Sequence, residues 1–272
     1  MTEIKRIQQA ERDIPKLCKL AESTVKISKT IYQGLTLPAQ DCYFIRMGVI
    51  FLTKQCEHMN AILVLTEHQQ GRDASLIARS MIEGLAQLYW ADEDRQTRAE
   101  RWYFFDRVLR WRAMRTLLGN GETIAPEKCT EIEQELAKYG DQFLTEEGKR
   151  RRQEGRDMCG KCNVRKWWNP PIQIKQLIEE VLNNQFAMEY EQLSKWHHWN
   201  PVGFISNNAI VWNGADITYL KPSPVASARS LEIGFQCLLR TALTVDNCSS
   251  LGRYSELEEL NQNYLQEISK NS

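Results

Sequence analysis

The sequence predicts an all-α fold, a helical bundle with a small β-hairpin excursion, on three observations. Apolar residues recur every three to four positions over long stretches, the spacing that lines one face of an α-helix. Glycine, proline and asparagine punctuate the chain at Gly34 and Pro38, at Gly119-Asn120-Gly121 and at Asn169-Pro170-Pro171, where helices stop. Asn213-Gly214, flanked by Ala209 to Trp212 and Ile217 to Leu220, carries the tight-turn pair of a hairpin.

Each element follows from its own pattern. Residues 3 to 33 place Ile4, Ile7, Ile14, Leu17, Leu20, Val25 and Ile27 at helical intervals among charges. Residues 39 to 66 read as a more buried helix around Phe44, Met47, Ile50, Phe51, Ile62 and Leu65. Residues 70 to 91 present a wide apolar face through Ala74, Ala78, Met81, Ile82 and Leu85, and a helix over 96 to 118 ends at the next glycine cluster. A helix over 126 to 139 precedes a less periodic, charged stretch from Gly140 to Cys159, and residues 120 to 170 as a whole read as an insertion or mobile excursion. One helix is expected over 172 to 196, striped by Ile174, Leu177, Ile178, Val181, Leu182 and Phe186. Ser223 and Pro224 open another, with Leu231, Phe235, Leu238 and Leu239 facing the core. Glu256 to Ile268 is a more exposed helix or a partner-binding tail. The expected organisation is an N-terminal half of a main core over 1–119, a charged insertion over 120–170 with a metal or partner site, and a C-terminal half over 171–272.

Composition narrows the class of function. The 272 residues carry 35 basic and 35 acidic side chains, so no global charge draws the chain to nucleic acid or an anionic membrane. No apolar run reaches the roughly 18 residues that span a bilayer, and the N-terminal segment lacks a signal peptide's apolar centre, so a cytoplasmic protein with no membrane partner is expected. Eight cysteines scattered over this length do not suggest a disulfide scaffold. Gly119-Asn120-Gly121 lacks the remaining residues of a phosphate loop, and neither a His-Glu-x-x-His nor a nucleophile-elbow pattern occurs.

Two polar clusters carry the candidate chemistry. Arg79 and Glu83 sit one helical turn apart within an apolar face, where an unmatched charge is costly. They form an internal ion pair, an exposed pair, or part of a cleft in which Arg79 neutralises phosphate charge and Glu83 orients it or a nearby histidine. The second cluster is Ser194-Lys195-Trp196-His197-His198-Trp199. A histidine there can exchange protons near neutral pH, which with an arginine allows metal-independent RNA cleavage through the ribose 2′-hydroxyl. Adjacent histidines point in different directions on a helix, so one of His197 and His198 is the candidate, not the pair. The structural alternative is a helix terminus packed by Trp196 or Trp199.

Arg79-Ser80-Met81-Ile82-Glu83 together with Tyr190 to His198 resembles a family of bacterial helical proteins classified under domain of unknown function 5677. The likeness covers about residues 40 to 245. It implies a shared polar centre of Arg79, Glu83 and a final histidine, with Ser194-x-x-His197 favouring His197 over His198. The family is broadly similar to helical proteins of bacterial defence and toxin systems. An Arg-x4-6-His run of the nuclease-like helical toxins is absent, so any such arrangement must be assembled in space.

Cys159-Gly160-Lys161-Cys162 spaces two thiols for one metal; zinc is the candidate cofactor, with Cys129, His197 or His198 as further ligands if the chain folds back. Basic charge concentrates twice. Seven arginines against two acidic residues lie between Arg95 and Arg115, interleaved with aromatics, and eight basic against two acidic residues lie between Lys149 and Lys166. Arg107, Arg110, Trp111, Arg150, Arg151 and Arg152 are the candidates for holding single-stranded nucleic acid by charge and stacking. The expected function is a defence-associated accessory or effector protein that cleaves RNA with Arg79, Glu83 and His197. The alternative is a noncatalytic module that binds a protein or nucleic acid. RNA or a protein is the expected partner, and a homo-oligomer is compatible with either reading.

Overall fold

The computed structural model describes residues 3–35, 42–159, 162–168, 173–197, 211–213, 216–218 and 222–268; for 196, 197 and the 211–218 segments it describes the backbone alone. The chain divides into two units, Met1–Glu93 with Gln173–Ser272, and Asp94–Ile172.

The first unit is built from α1 (Glu3–Gly34), α2 (Tyr43–Glu67), α3 (Gly71–Asp92), α7 (Ile174–Val181), α8 (Asn184–His197), α9 (Pro224–Ser249) and α10 (Tyr254–Glu267). α9 is its centre and packs on α1, α2 and α3, while α7 and α8 lie on α3. Ser223 caps α9 by accepting the Ala226 N–H at 3.3 Å, Pro224 occupies its first turn, and Leu231, Phe235, Leu238 and Leu239 are buried as the sequence implies. The buried face of α2 runs through Leu52, Cys56, Met59 and Ile62, leaving Ile50 exposed. The first turns of α3 and α9 meet so closely that a Cβ on Gly71 would lie 2.3 Å from Ser227 Oγ, and the Ser75 and Ser230 hydroxyls bond at 3.1 Å. The C-terminal segment is not a loose tail: α10 packs on α1 and α9 through buried Leu257 and Tyr264.

One expected helix is two. α7 stops at Leu182, whose backbone leaves the helical region, and Asn183 restarts the chain by accepting the Phe186 N–H at 3.0 Å. An asparagine side chain here offers the backbone a cap in place of a continued helical bond.

The second unit comprises α4 (Arg95–Gly119), α5 (Pro126–Tyr139), a 3₁₀ turn (Asp141–Phe143) and α6 (Glu146–Gln153). α4 belongs here and not with the N-terminal part of the main core, so the boundary falls at 93/94 where the sequence suggested 119/120. Asp94 starts α4 by accepting the Thr97 N–H. Phe104 stacks on Tyr139 with ring centroids 4.1 Å apart, Phe105 meets Phe143 edge-on, and Trp111, Leu136, Leu144, Val164 and Trp168 complete the core. The stretch after Gly140, expected as an irregular excursion, is ordered by local caps. Thr145 accepts the Gly148 N–H to start α6, and Leu144 bridges Val164.

The fold class is corrected to all-α. The expected β-hairpin excursion does not amount to a sheet component: the pairing is limited to Val211↔Thr218, Trp212↔Ile217 and Asn213↔Asp216. An isolated two-stranded ribbon of this length is marginal by itself, and no third strand joins it among the described residues.

Candidate functional site

The polar centre forms on the first unit, between α3 and α8. The four-residue spacing of Arg79 and Glu83 on α3 brings Arg79 Nη2 to 3.0 Å from Glu83 Oε1, with the side chains 16% and 28% exposed. α8 supplies the other half. Arg79 Nη2 donates to the Tyr190 hydroxyl at 2.5 Å and Arg79 Nε to Ser194 Oγ at 2.9 Å. The Tyr190 hydroxyl donates in turn to Glu83 Oε1 at 3.1 Å, and Ser194 donates to the Tyr190 carbonyl at 2.7 Å. The guanidinium also lies over the Tyr190 ring, 4.6 Å from its centroid.

This arrangement fixes its own charge state. Tyr190 is only 6% exposed, and burial, then the Glu83 carboxylate, push its phenol above the ordinary value while Arg79 opposes them. The phenol therefore stays protonated at neutral pH and bridges cation to carboxylate. Burial of Arg79 is compensated by a carboxylate, two hydroxyls and an aromatic face, so its guanidinium is held in a defined orientation.

Positions 190, 194 and 197 follow the i, i+4, i+7 spacing that shares one stripe of α8, whose last residue is His197. The His197 side chain and all of His198 lie outside the described residues, as do Trp199 and the loop beyond. The structure thus joins Arg79 and Glu83 and adds Tyr190 and Ser194, which sequence reasoning did not assign to the site. Their signal was the same-face spacing of tyrosine, serine and histidine. Arg229 and Glu232 on α9 do not pair as Arg79 and Glu83 do but take separate partners: Arg229 pairs with Glu189 and Glu232 accepts from Tyr264.

The basic candidates lie in the second unit, largely engaged with its own acceptors. Trp111 is 1% exposed and its indole N–H donates to Glu133 at 2.9 Å. Arg110 reaches Glu135 at 2.7 Å and Glu131 at 3.6 Å, and Arg107 binds Asp106 at 2.8 Å. Arg150 and Arg151 both pair with Glu147, at 2.5 and 2.8 Å, and Arg152 pairs with Asp141. Arg112 donates to the carbonyls of Val164 and Arg165, and Arg101 to that of Trp168. Arg150 keeps the most exposed side chain of the three on α6, at 63%.

Cys159 and Cys162 are both exposed and neither is in a disulfide. No group of three or more His, Cys, Asp or Glu suited to a metal occurs among the described residues, so Cys129 does not join them there. Among the described residues no helix is long and apolar enough to cross a membrane.

No curated protein and no solved structure matches the chain. Residues 46–214, a span that takes in Arg79, Glu83, Tyr190, Ser194 and His197, match the model of a family of unknown function, DUF5677, and as this is more than half of the 272 residues the chain belongs to that family.

Proposed function

We propose that the chain is an RNA-cleaving effector or accessory protein of bacterial defence, acting in the cytoplasm without a metal through the polar centre of its first unit. The observation that carries this reading is the bond network joining Arg79 of α3 to Tyr190 and Ser194 of α8, on the stripe that reaches His197 one turn later. In the proposed reaction His197 takes the proton of a ribose 2′-hydroxyl, whose oxygen attacks the adjacent phosphorus. The 5′-oxygen leaves with a proton returned by the imidazole, and a 2′,3′-cyclic phosphate remains. Arg79 faces the negative charge that develops on the phosphoryl oxygens, while Glu83, Tyr190 and Ser194 hold its orientation. The defence context rests on the broad similarity of the family to helical proteins of defence and toxin systems.

A mixed RNA pool tests this. Wild-type protein is expected to cleave it, with Arg79→Ala and His197→Ala each reducing the rate by about 10²-fold or more while the fold persists. Equal cleavage by all three proteins overturns the assignment.

A noncatalytic interaction module is the second reading, favoured by the extent to which the Arg79 donors are already taken up by Ser194, Tyr190 and Glu83. It predicts no cleavage by purified wild type and partner recovery that depends on the basic 149–168 segment. Reversing those charges without changing recovery would remove that segment as the docking surface.

A further inference from the structure

Most of the basic side chains that the sequence offered to nucleic acid are neutralised within the second unit. Arg107, Arg110, Arg150, Arg151 and Arg152 each meet a carboxylate. Arg165 and Lys166 do not. Both are exposed, and neither side chain makes an ion pair or a hydrogen bond among the described residues. Trp167 follows them with 68% of its surface exposed, where Trp111 and Trp168 of the same unit are buried. Two unneutralised cations and an open indole thus stand in consecutive positions.

The backbone beneath these three residues is fixed. Val164 and Trp168, which flank them, are both buried, and the Arg165 N–H donates to the Phe143 carbonyl at 2.7 Å. From α4, Arg112 donates to the carbonyls of Val164 at 3.2 Å, of Arg165, and of Lys166 at 3.5 Å, while Arg101 donates to that of Trp168. Among the described residues Arg101 meets uncharged groups alone: that carbonyl, the Gln142 side chain and carbonyl, and the Phe143 ring. The backing arginines therefore add positive charge behind the exposed ones. Glu146 feels the Arg165 charge but already holds Lys149 at 2.8 Å.

We propose that Arg165, Lys166 and Trp167 form a docking surface for single-stranded RNA, the two cations holding backbone phosphates and the indole stacking on a base. A polymer that alternates anions with flat rings matches both halves of the surface, whereas an acidic peptide would answer the cations and leave the indole in water. Because the segment is pinned before the ligand arrives, binding orders little of the protein. The choice of RNA rests on the cleavage reading above, although the surface lies in the unit that does not carry Arg79.

Fluorescence anisotropy of a labelled 2′-O-methyl oligouridylate, titrated with the full-length chain, tests the proposal. The probe has no free 2′-hydroxyl to attack the phosphorus, so failure to bind and failure to cleave are read separately. Wild type should bind with an affinity that falls as salt rises. Trp167→Ala should weaken binding by about tenfold or more, and Trp167→Phe should keep most of it. Arg165→Gln combined with Lys166→Gln should weaken binding and flatten its salt dependence. Arg150→Gln, which removes a cation already paired with Glu147, should leave the affinity within about twofold. All these side chains are exposed, and circular dichroism should be unchanged. Absence of binding by wild type, equal affinity in Trp167→Ala, or displacement by polyglutamate as effective as by unlabelled RNA overturns the proposal, the last by making an acidic protein the partner.

Discussion

Arg79 and Tyr190 stand 111 positions apart in the chain, yet the guanidinium donates to the phenol at 2.5 Å while resting over the same ring. One tyrosine therefore offers the cation both an oxygen and a π-face, and passes its own proton toward Glu83. Two helices, α3 and α8, are tied by this exchange.

Tyr190→Phe keeps the ring and removes the bridge. Stability should fall by about 1–2 kcal/mol, because Arg79 and Glu83 keep each other but lose the shared hydroxyl. The shift of the denaturant midpoint measures it, and an unchanged midpoint would show that the hydroxyl contributes nothing.

Arg79→Ala and Ser194→Ala should be energetically coupled. Each single change removes the 2.9 Å bond from Nε to Oγ, so the double variant should lose less than the sum of the two, by about 0.5 kcal/mol or more. Strict additivity would mean that the bond does not persist in solution.

Gly71→Ala should destabilise the protein and Gly119→Ala should not. A Cβ at position 71 meets Ser227 Oγ at 2.3 Å and Ser227 N at 2.5 Å, so α3 and α9 must separate, at about 1–3 kcal/mol. At position 119 nothing lies within 4 Å, and the substitution at the end of α4 should be neutral or stabilise by up to about 1 kcal/mol. Thermal melts of the two variants compare them directly.

His58 makes the first unit sensitive to mild acid. Burial, then the neighbouring Lys54, hold its imidazole below the ordinary value of 6.5, and its Nε2 is buried without a hydrogen-bond partner among the described residues. The unfolded chain therefore binds the proton more readily than the folded one, and stability falls as pH drops through 6.5 toward the folded value. Relative to wild type, His58→Gln should flatten the decline of melting temperature on acidification. An identical pH profile in both proteins would remove His58 as its source.

The helical elements were legible wherever local chemistry set them. Pro126 and Gly140 bracket α5, and Ser223 with Pro224 opens α9, because caps and breakers act within a few residues. The break at Leu182–Asn183 was masked by the apolar stripe running through it, although the asparagine that restarts α8 was there to be read. Arg79 and Glu83 could be paired from their spacing alone. Tyr190 could not be joined to them, since periodicity carries no information about which helices touch. The basic stretches show the same limit more sharply. Seven arginines on one helix suggest a binding surface until α5 packs alongside and brings Glu131, Glu133 and Glu135 to Arg110, Trp111 and Arg107. The membership of α4 in the second unit was hidden for the same reason, because its partners follow it in the chain.

The arginines of the second unit are anchored in two physically different ways. Arg110 meets carboxylates, an attraction that dissolved ions weaken, whereas Arg112 and Arg101 hold uncharged peptide carbonyls near the end of the unit. Raising ionic strength should thus loosen the seam between α4 and α5 before it frees the returning segment from Val164 to Trp168.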